Sequence, residues 1–180
     1  MPAALPAAAL SVPSAPAAPV GQPAAAKSKP TVVASETIAT ANELVYDDAE
    51  RRARYTGTAR MVGERGDLRG ERIELYFDES GHGVSRLEGF DNVRFNLKAR
   101  PGGSPRWGNG GRLTYFADDE RYVLSGPRAL VVERLDAQQC RQTQGRTLTF
   151  FSSNDSAVVD SDNNSRTLSQ TGTSCQEPTQ

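Results

Sequence analysis

Histidine is almost missing from this 180-residue chain, in which His82 stands alone between Gly81 and Gly83. A general base needs an orienting partner and a pocket; a histidine flanked by glycines reads as a loop tip with neither. One His and two distant cysteines, Cys140 and Cys175, cannot assemble a metal site. Nucleophile elbows, phosphate loops and dinucleotide fingerprints are missing too, so neither a cofactor nor an enzymatic activity is expected. No run of 18 or more apolar residues exists, which excludes an apolar membrane-spanning helix. Lysine occurs only at positions 27, 29 and 98, against eighteen arginines, and the formal net charge is −1. That balance excludes the basic face that general nucleic-acid binding requires. The arginine excess has two readings: the guanidinium fork suits phosphate and carboxylate groups, and a GC-rich genome produces the same excess together with many Ala and Pro codons.

With 180 residues, 37% of them hydrophobic, one domain with a modest core is the default. Residues 1–34 hold seven of the eleven prolines and no charge before Lys27. Such a segment reads as a disordered linker or truncated targeting region. Pro2, Pro6 and Pro13 interrupt any apolar run and no basic residue precedes it, so it does not read as a complete signal peptide.

What is present is one phrase repeated four times. Leu44-Val-Tyr46 is followed by the turn Asp47-Asp48 and by Tyr55-Thr-Gly57; Ile73-Glu-Leu75 by Asp78-Glu-Ser-Gly81 and Leu87-Glu-Gly89. Leu113-Thr-Tyr115 precedes Tyr122-Val-Leu124-Ser-Gly126, and Leu148-Thr-Phe150 precedes Ser153-Asn-Asp155 and Val158-Val-Asp160. The terminal residues of the units, 57, 89, 126 and 160, are 32, 37 and 34 positions apart. A unit of about 30–40 residues repeated head to tail is the signature of a stacked architecture. Period-two alternation of Tyr, Phe, Val and Leu around Asp/Asn/Gly clusters makes each unit a β-hairpin with one apolar face. The predicted fold is therefore all-β: stacked antiparallel hairpins over residues 35–172, followed by a loose tail at 173–180.

The acidic clusters Asp47-Asp48, Asp78-Glu79 and Asp118-Asp119-Glu120 share one phase of the repeat and fall where the chain must reverse. Asp and Asn bond their own backbone at such points, so turn chemistry is preferred to carboxylate pairs or calcium ligands. Gly63–Gly66 reads as a turn, and Val93, Phe95 and Leu97 alternate cleanly with polar neighbours. Residues 99–111, Ala-Arg-Pro-Gly-Gly-Ser-Pro-Arg-Trp-Gly-Asn-Gly-Gly, read as a loop between two halves, with Trp107 as a surface anchor or a ligand contact.

Cys140 and Cys175 are 35 positions apart, close to one repeat. Equivalent positions in a stack are neighbours at about the 4.8 Å strand spacing, within reach of a disulfide in an oxidising compartment; two free thiols are the alternative. The hairpins together present an inward face carrying Tyr46, Tyr55, Met61, Leu75, Phe77, Leu87, Phe95, Tyr115, Leu124 and Phe150. Either these side chains meet as a filled core, or the walls stay apart along a seam with room for acyl chains, each buried methylene contributing about 0.8 kcal/mol.

The phrases Leu44-Val-Tyr46 to Gly57, Leu113-Thr-Tyr115 to Gly126 and Gly145-Arg-Thr-Leu148-Thr-Phe150 resemble the OstA-like domain of lipopolysaccharide-transport proteins of the LptA type. The same domain begins the outer-membrane protein LptD and is related to LptC. The resemblance spans about residues 36–170. It implies a V-shaped, twisted β-jellyroll in the periplasm, with acyl chains of lipopolysaccharide or a similar acylated glycolipid held among the ten inward residues. It also implies assembly with similar domains, edge strand to edge strand, at about residues 36–47 and 164–171, where an open sheet leaves backbone unpaired. The Ala/Pro extension and the glycine-rich segment at 102–111 depart from the family pattern. Two rivals stand beside this reading: a structural β-repeat assembly module with a filled interior, and an enzyme on envelope polysaccharide, which would need carboxylates converging in a groove.

Overall fold

Alternating apolar and polar residues with reversal signals every dozen positions dictate antiparallel strands, and a computed structural model contains ten of them among the residues it describes. It describes residues 37–101, 103–152, 157–160, 166–171 and 175. The Ala/Pro segment at 1–34, the turn Ser153-Asn-Asp155 and the tail apart from Cys175 lie outside the described residues. The strands are β1 (Ile38–Thr40), β2 (Glu43–Asp47), β3 (Arg52–Gly63), β4 (Gly66–Phe77), β5 (Val84–Leu97), β6 (Arg106–Phe116), β7 (Arg121–Arg134), β8 (Gln139–Phe151), β9 (Ala157–Asp160) and β10 (Arg166–Thr171). They form one antiparallel sheet in which β3 to β8 pair in chain order. Both edges are split: β1 and β2 pair successive parts of β3, and β10 and β9 successive parts of β8.

All four repeat hairpins form, as β2–β3, β4–β5, β6–β7 and β8–β9. The turn chemistry operates at Asp47, whose carboxylate accepts the Glu50 N–H at 3.1 Å, and at Asp78, which accepts from the Ser80 hydroxyl at 2.6 Å. The glycines that close each repeat do not end strands, however. Register shifts occur between Thr56 and Ala59 on β3, Arg69 and Arg72 on β4, Phe90 and Val93 on β5, Asn109 and Arg112 on β6, and Ser125 and Ala129 on β7. Strands β3 to β7 each therefore run through a bulge, and the bulges align into a crease across the sheet. Bulges bend strands and sharpen twist. Gly57 and Gly126 sit on that line with φ of +85° and +155°, where a side chain would strain the backbone. Asp91 and Asn92 take left-handed conformations on β5, as Asp and Asn tolerate.

The crease divides the sheet into a first wall (β2, β9 and the parts of β3–β8 around the repeat turns) and a second wall (β1, β10 and the remaining parts). The glycine-rich segment is corrected by the structure. Residues 106–111 are the first half of β6, and only 98–105 is a connection. Glycine is needed there for close packing: a Cβ at Gly108 would lie 2.1 Å from the Leu130 carbonyl oxygen and 2.9 Å from the Phe95 ring, and one at Gly110 would lie 2.7 Å from Leu124.

Trp107 is buried rather than superficial, in a small cluster with Val132, Cys140 and Cys175 separate from the main core. The two sulfurs are bonded, with Cα atoms 5.5 Å apart. Cys175 lies beyond β10, while the cross-strand partner of Cys140 is Gln170; chain return, and not repeat phase, brings the thiols together.

On the outer face of the first wall the arginines have a structural role. Arg86 lies over Tyr76 at 3.9 Å, Arg121 over Phe116 at 4.2 Å, and Arg72 and Arg112 over Phe90 at 4.1 and 4.9 Å. Flat guanidinium groups stack on aromatic faces as lysine does not. Among them Glu74 is buried, with Arg54 donating to it at 3.0 Å and the Tyr76 hydroxyl at 2.8 Å. Burial pushes its carboxyl up, but hydrogen bonds from Tyr76 and Arg54 and the charges of Arg54 and Arg72 outweigh that, leaving its pKa below the ordinary carboxylate value.

Candidate functional site

The crease folds the two apolar faces toward each other, and cross-strand register fixes which side chains meet. On the first wall, the row next to the crease is Tyr55, Ile73, Gly89, Leu113, Leu124 and Leu148. The row beyond it is Ala53, Leu75, Leu87, Tyr115, Tyr122 and Phe150. On the second wall, Met61, Leu68, Phe95, Gly108, Val131 and Thr143 form the facing row. Most of these belong to one hydrophobic cluster.

The walls do not meet uniformly. Toward the N-terminal edge they enclose a cavity of about 670 Å³, lined by Tyr55, Met61, Leu68, Leu75, Phe77, Leu87, Phe95, Leu97 and Tyr115, with Leu44 and Ala39 on the edge strands. That volume lies within the roughly 300–1,000 Å³ typical of ligand sites. Toward the C-terminal edge the walls touch. Phe150 of the first wall stacks on Phe95 of the second at 5.8 Å and on Tyr122 at 5.1 Å. The outermost row of the second wall reads Gly63, Gly66 and Leu97 at the open end, then Arg106, Glu133 and Arg141. Arg106 donates to Glu133 at 2.8 and 3.2 Å and to the Phe151 carbonyl at 2.7 Å; Arg141 pairs with the other Glu133 oxygen. Among the described residues, a gap of about 30 Å³ lies beside this network. A buried ion pair with its remaining valences satisfied fixes geometry more than it adds stability.

Of the ten inward residues expected from the sequence, seven line the cavity: Tyr55, Met61, Leu75, Phe77, Leu87, Phe95 and Tyr115. Leu124 and Phe150 are 0% and 1% exposed in the packed interior. Tyr46 is 55% exposed on the edge strand, with its ring edge against Phe77 at 6.1 Å. Sequence reasoning missed the charged groups at both ends of the trough, because nothing in local spacing marks partners 27 or 55 residues apart.

The open lip is bridged by charge. Arg65, in the β3–β4 turn of the second wall, reaches Glu120 in the β6–β7 turn of the first at 3.4 Å, and Arg100 in the β5–β6 connection pairs with the same carboxylate. Arg65 also donates to the Tyr115 hydroxyl, its guanidinium 5.2 Å from that ring. Tyr115 in turn packs on Tyr122 at 4.6 Å. Burial pushes the Tyr122 phenol up, against the opposing charges of Arg65 and Arg100.

Both sheet edges leave backbone without a strand partner among the described residues, and they carry apolar side chains: Ile38, Leu44 and Val45 are exposed on β1 and β2, and Val158 on β9. No helix among the described residues is long and apolar enough to cross a membrane.

Two comparisons with known proteins bear on this geometry. The profile of the LptA/LptD N-terminal domain family of lipopolysaccharide transport proteins matches residues 37–156. The fold is similar to the crystal structure of LptH from Pseudomonas aeruginosa, described as the LptA-homologous periplasmic component of the conserved lipopolysaccharide transport device. That match has a TM-score of 0.62 at 15% identity and covers 74% of this chain and 94% of that one. No individual curated protein matches the chain in sequence.

Proposed function

We propose that this chain, which belongs to the LptA/LptD N-terminal family of lipopolysaccharide transport proteins, is a periplasmic bridge component that holds the acyl chains of lipopolysaccharide in its trough. The observation that carries this reading is the 670 Å³ cavity between unsealed walls, lined by Leu75, Leu87, Phe95 and Leu97. A filled structural module has no use for such a space. Each acyl methylene seated there gains about 0.8 kcal/mol, and sugars remain outside the lip. The work of moving the lipid falls to a separate pump, since the trough offers binding and no reaction.

Assembly with similar domains is part of the same proposal. The split edges β1/β2 and β9/β10 are open templates, and β-strand addition pairs one domain's last strands with the next domain's first. The rival reading, a structural module with a filled interior, is favoured by one observation, the Phe95–Phe150–Tyr122 stack, and that stack fills only the C-terminal part.

Native mass spectrometry of protein purified from its own envelope tests the reading. A retained acylated saccharide, lost on Phe77→Asp or Leu87→Asp substitution, is expected. Protein that never carries lipid under these conditions would return the filled-module reading.

A further inference from the structure

The clasp at the open lip places two cations on one carboxylate. Arg65 and Arg100 both engage Glu120, whose side chain is 25% exposed, and Lys98 stands exposed beside them, its backbone N–H donating to the Arg65 carbonyl at 3.0 Å. Glu64 is the neighbouring carboxylate on the same lip. The arrangement joins the two walls through side chains alone, at the boundary between water and the cavity, because Tyr115 beneath Arg65 is itself a cavity residue.

Guanidinium forks bind carboxylate and phosphate in the same geometry, and a phosphate monoester carries more charge and more acceptor oxygens than one carboxylate. A ligand whose chains lie in the cavity must bring its headgroup out over this lip. We propose that Arg65 and Arg100 form a binding site for a phosphate on the headgroup of an acylated glycolipid, the phosphate displacing Glu120 as the chains enter beneath. Glu120 then acts as a placeholder that keeps the two arginines oriented while the trough is empty, and its release parts the lip. This rests on the lipid-trough reading, so the test separates the two.

Equilibrium binding of radiolabelled lipid A in detergent, with both phosphates present or both removed, reads the site directly. The full-length protein should bind the phosphorylated form about tenfold more tightly. Arg65→Gln with Arg100→Gln should bring that ratio close to one. Glu120→Gln should raise the ratio severalfold further in favour of the phosphorylated form, and Arg94→Gln, an exposed arginine on the opposite face of β5, should change nothing. Equal binding of the two lipids by the unaltered protein would overturn the headgroup site and leave the trough standing. Binding of neither lipid would overturn both. Inorganic phosphate alone, bound as tightly as phosphorylated lipid A and lost in the arginine variant, would make this a free-phosphate site and overturn the headgroup assignment.

Discussion

The two ends of the trough are built from the same repeat and end differently. At the N-terminal end the lip row is Gly63, Gly66 and Leu97, and the walls stand far enough apart to leave about 670 Å³. At the C-terminal end Arg106, Glu133 and Arg141 occupy the same row, Phe150 spans to Phe95, and about 30 Å³ is left. A repeat fixes backbone register; whether a given layer is a core or a binding site depends on a few side chains set into that register. The contrast also gives the trough a direction, open at one end and closed at the other.

Truncation should expose the contrast most strongly. Phe150→Ala removes a fully buried ring that links the walls and is expected to cost about 3–5 kcal/mol in a denaturant titration, whereas Phe77→Ala, at the half-buried open end, should cost about 1 kcal/mol. Similar losses at both positions would mean that the open end is packed as tightly as the closed one.

The disulfide sharpens the same comparison, since Cys140 and Cys175 sit on β8 and beyond β10, at the closed side. Replacing both by serine should lower stability by about 3–4 kcal/mol, as loop closure over 35 residues implies. Hydrogen exchange should rise in β8 and β10 and remain unchanged in β3 and β4. A uniform rise would show that the two ends unfold as one.

Acid should loosen the first wall from its outer face. The Glu74 carboxyl lies below its ordinary value of 4.5 in the folded protein, so its contribution is fully present above that value and is lost as pH falls through the folded pKa. Unfolding free energy should therefore fall more steeply from neutrality into the acid range in the unaltered protein than in Glu74→Gln. Parallel pH profiles would remove Glu74 from the acid response.

Much of this was legible in the sequence. The four hairpins, their turns at Asp47, Asp78 and Asp118–Glu120, and the inward face followed from period two and reversal chemistry. The crease did not, because Gly57, Gly89 and Gly126 read as chain ends when the strands run through them. The first half of β6 was hidden for a related reason. Gly108 and Gly110 resemble loop residues, yet they are glycines because Phe95, Leu124 and the Leu130 carbonyl press against them. The lip clasp and the Arg106–Glu133 network join residues 55 and 27 positions apart, distances that only the folded register brings together. The arginine excess, open to a compositional explanation, is used in the ladder of guanidinium–aromatic stacks on the outer wall.

Photocrosslinking tests the asymmetry most directly. A benzophenone side chain placed singly at Leu75, Leu87, Val131 or Leu148, with the protein loaded with lipopolysaccharide, reports which layers meet acyl chains. Adducts at 75 and 87, with none at 131 and 148, are the result this account expects. Equal adducts at all four positions, or adducts confined to 131 and 148, would contradict it.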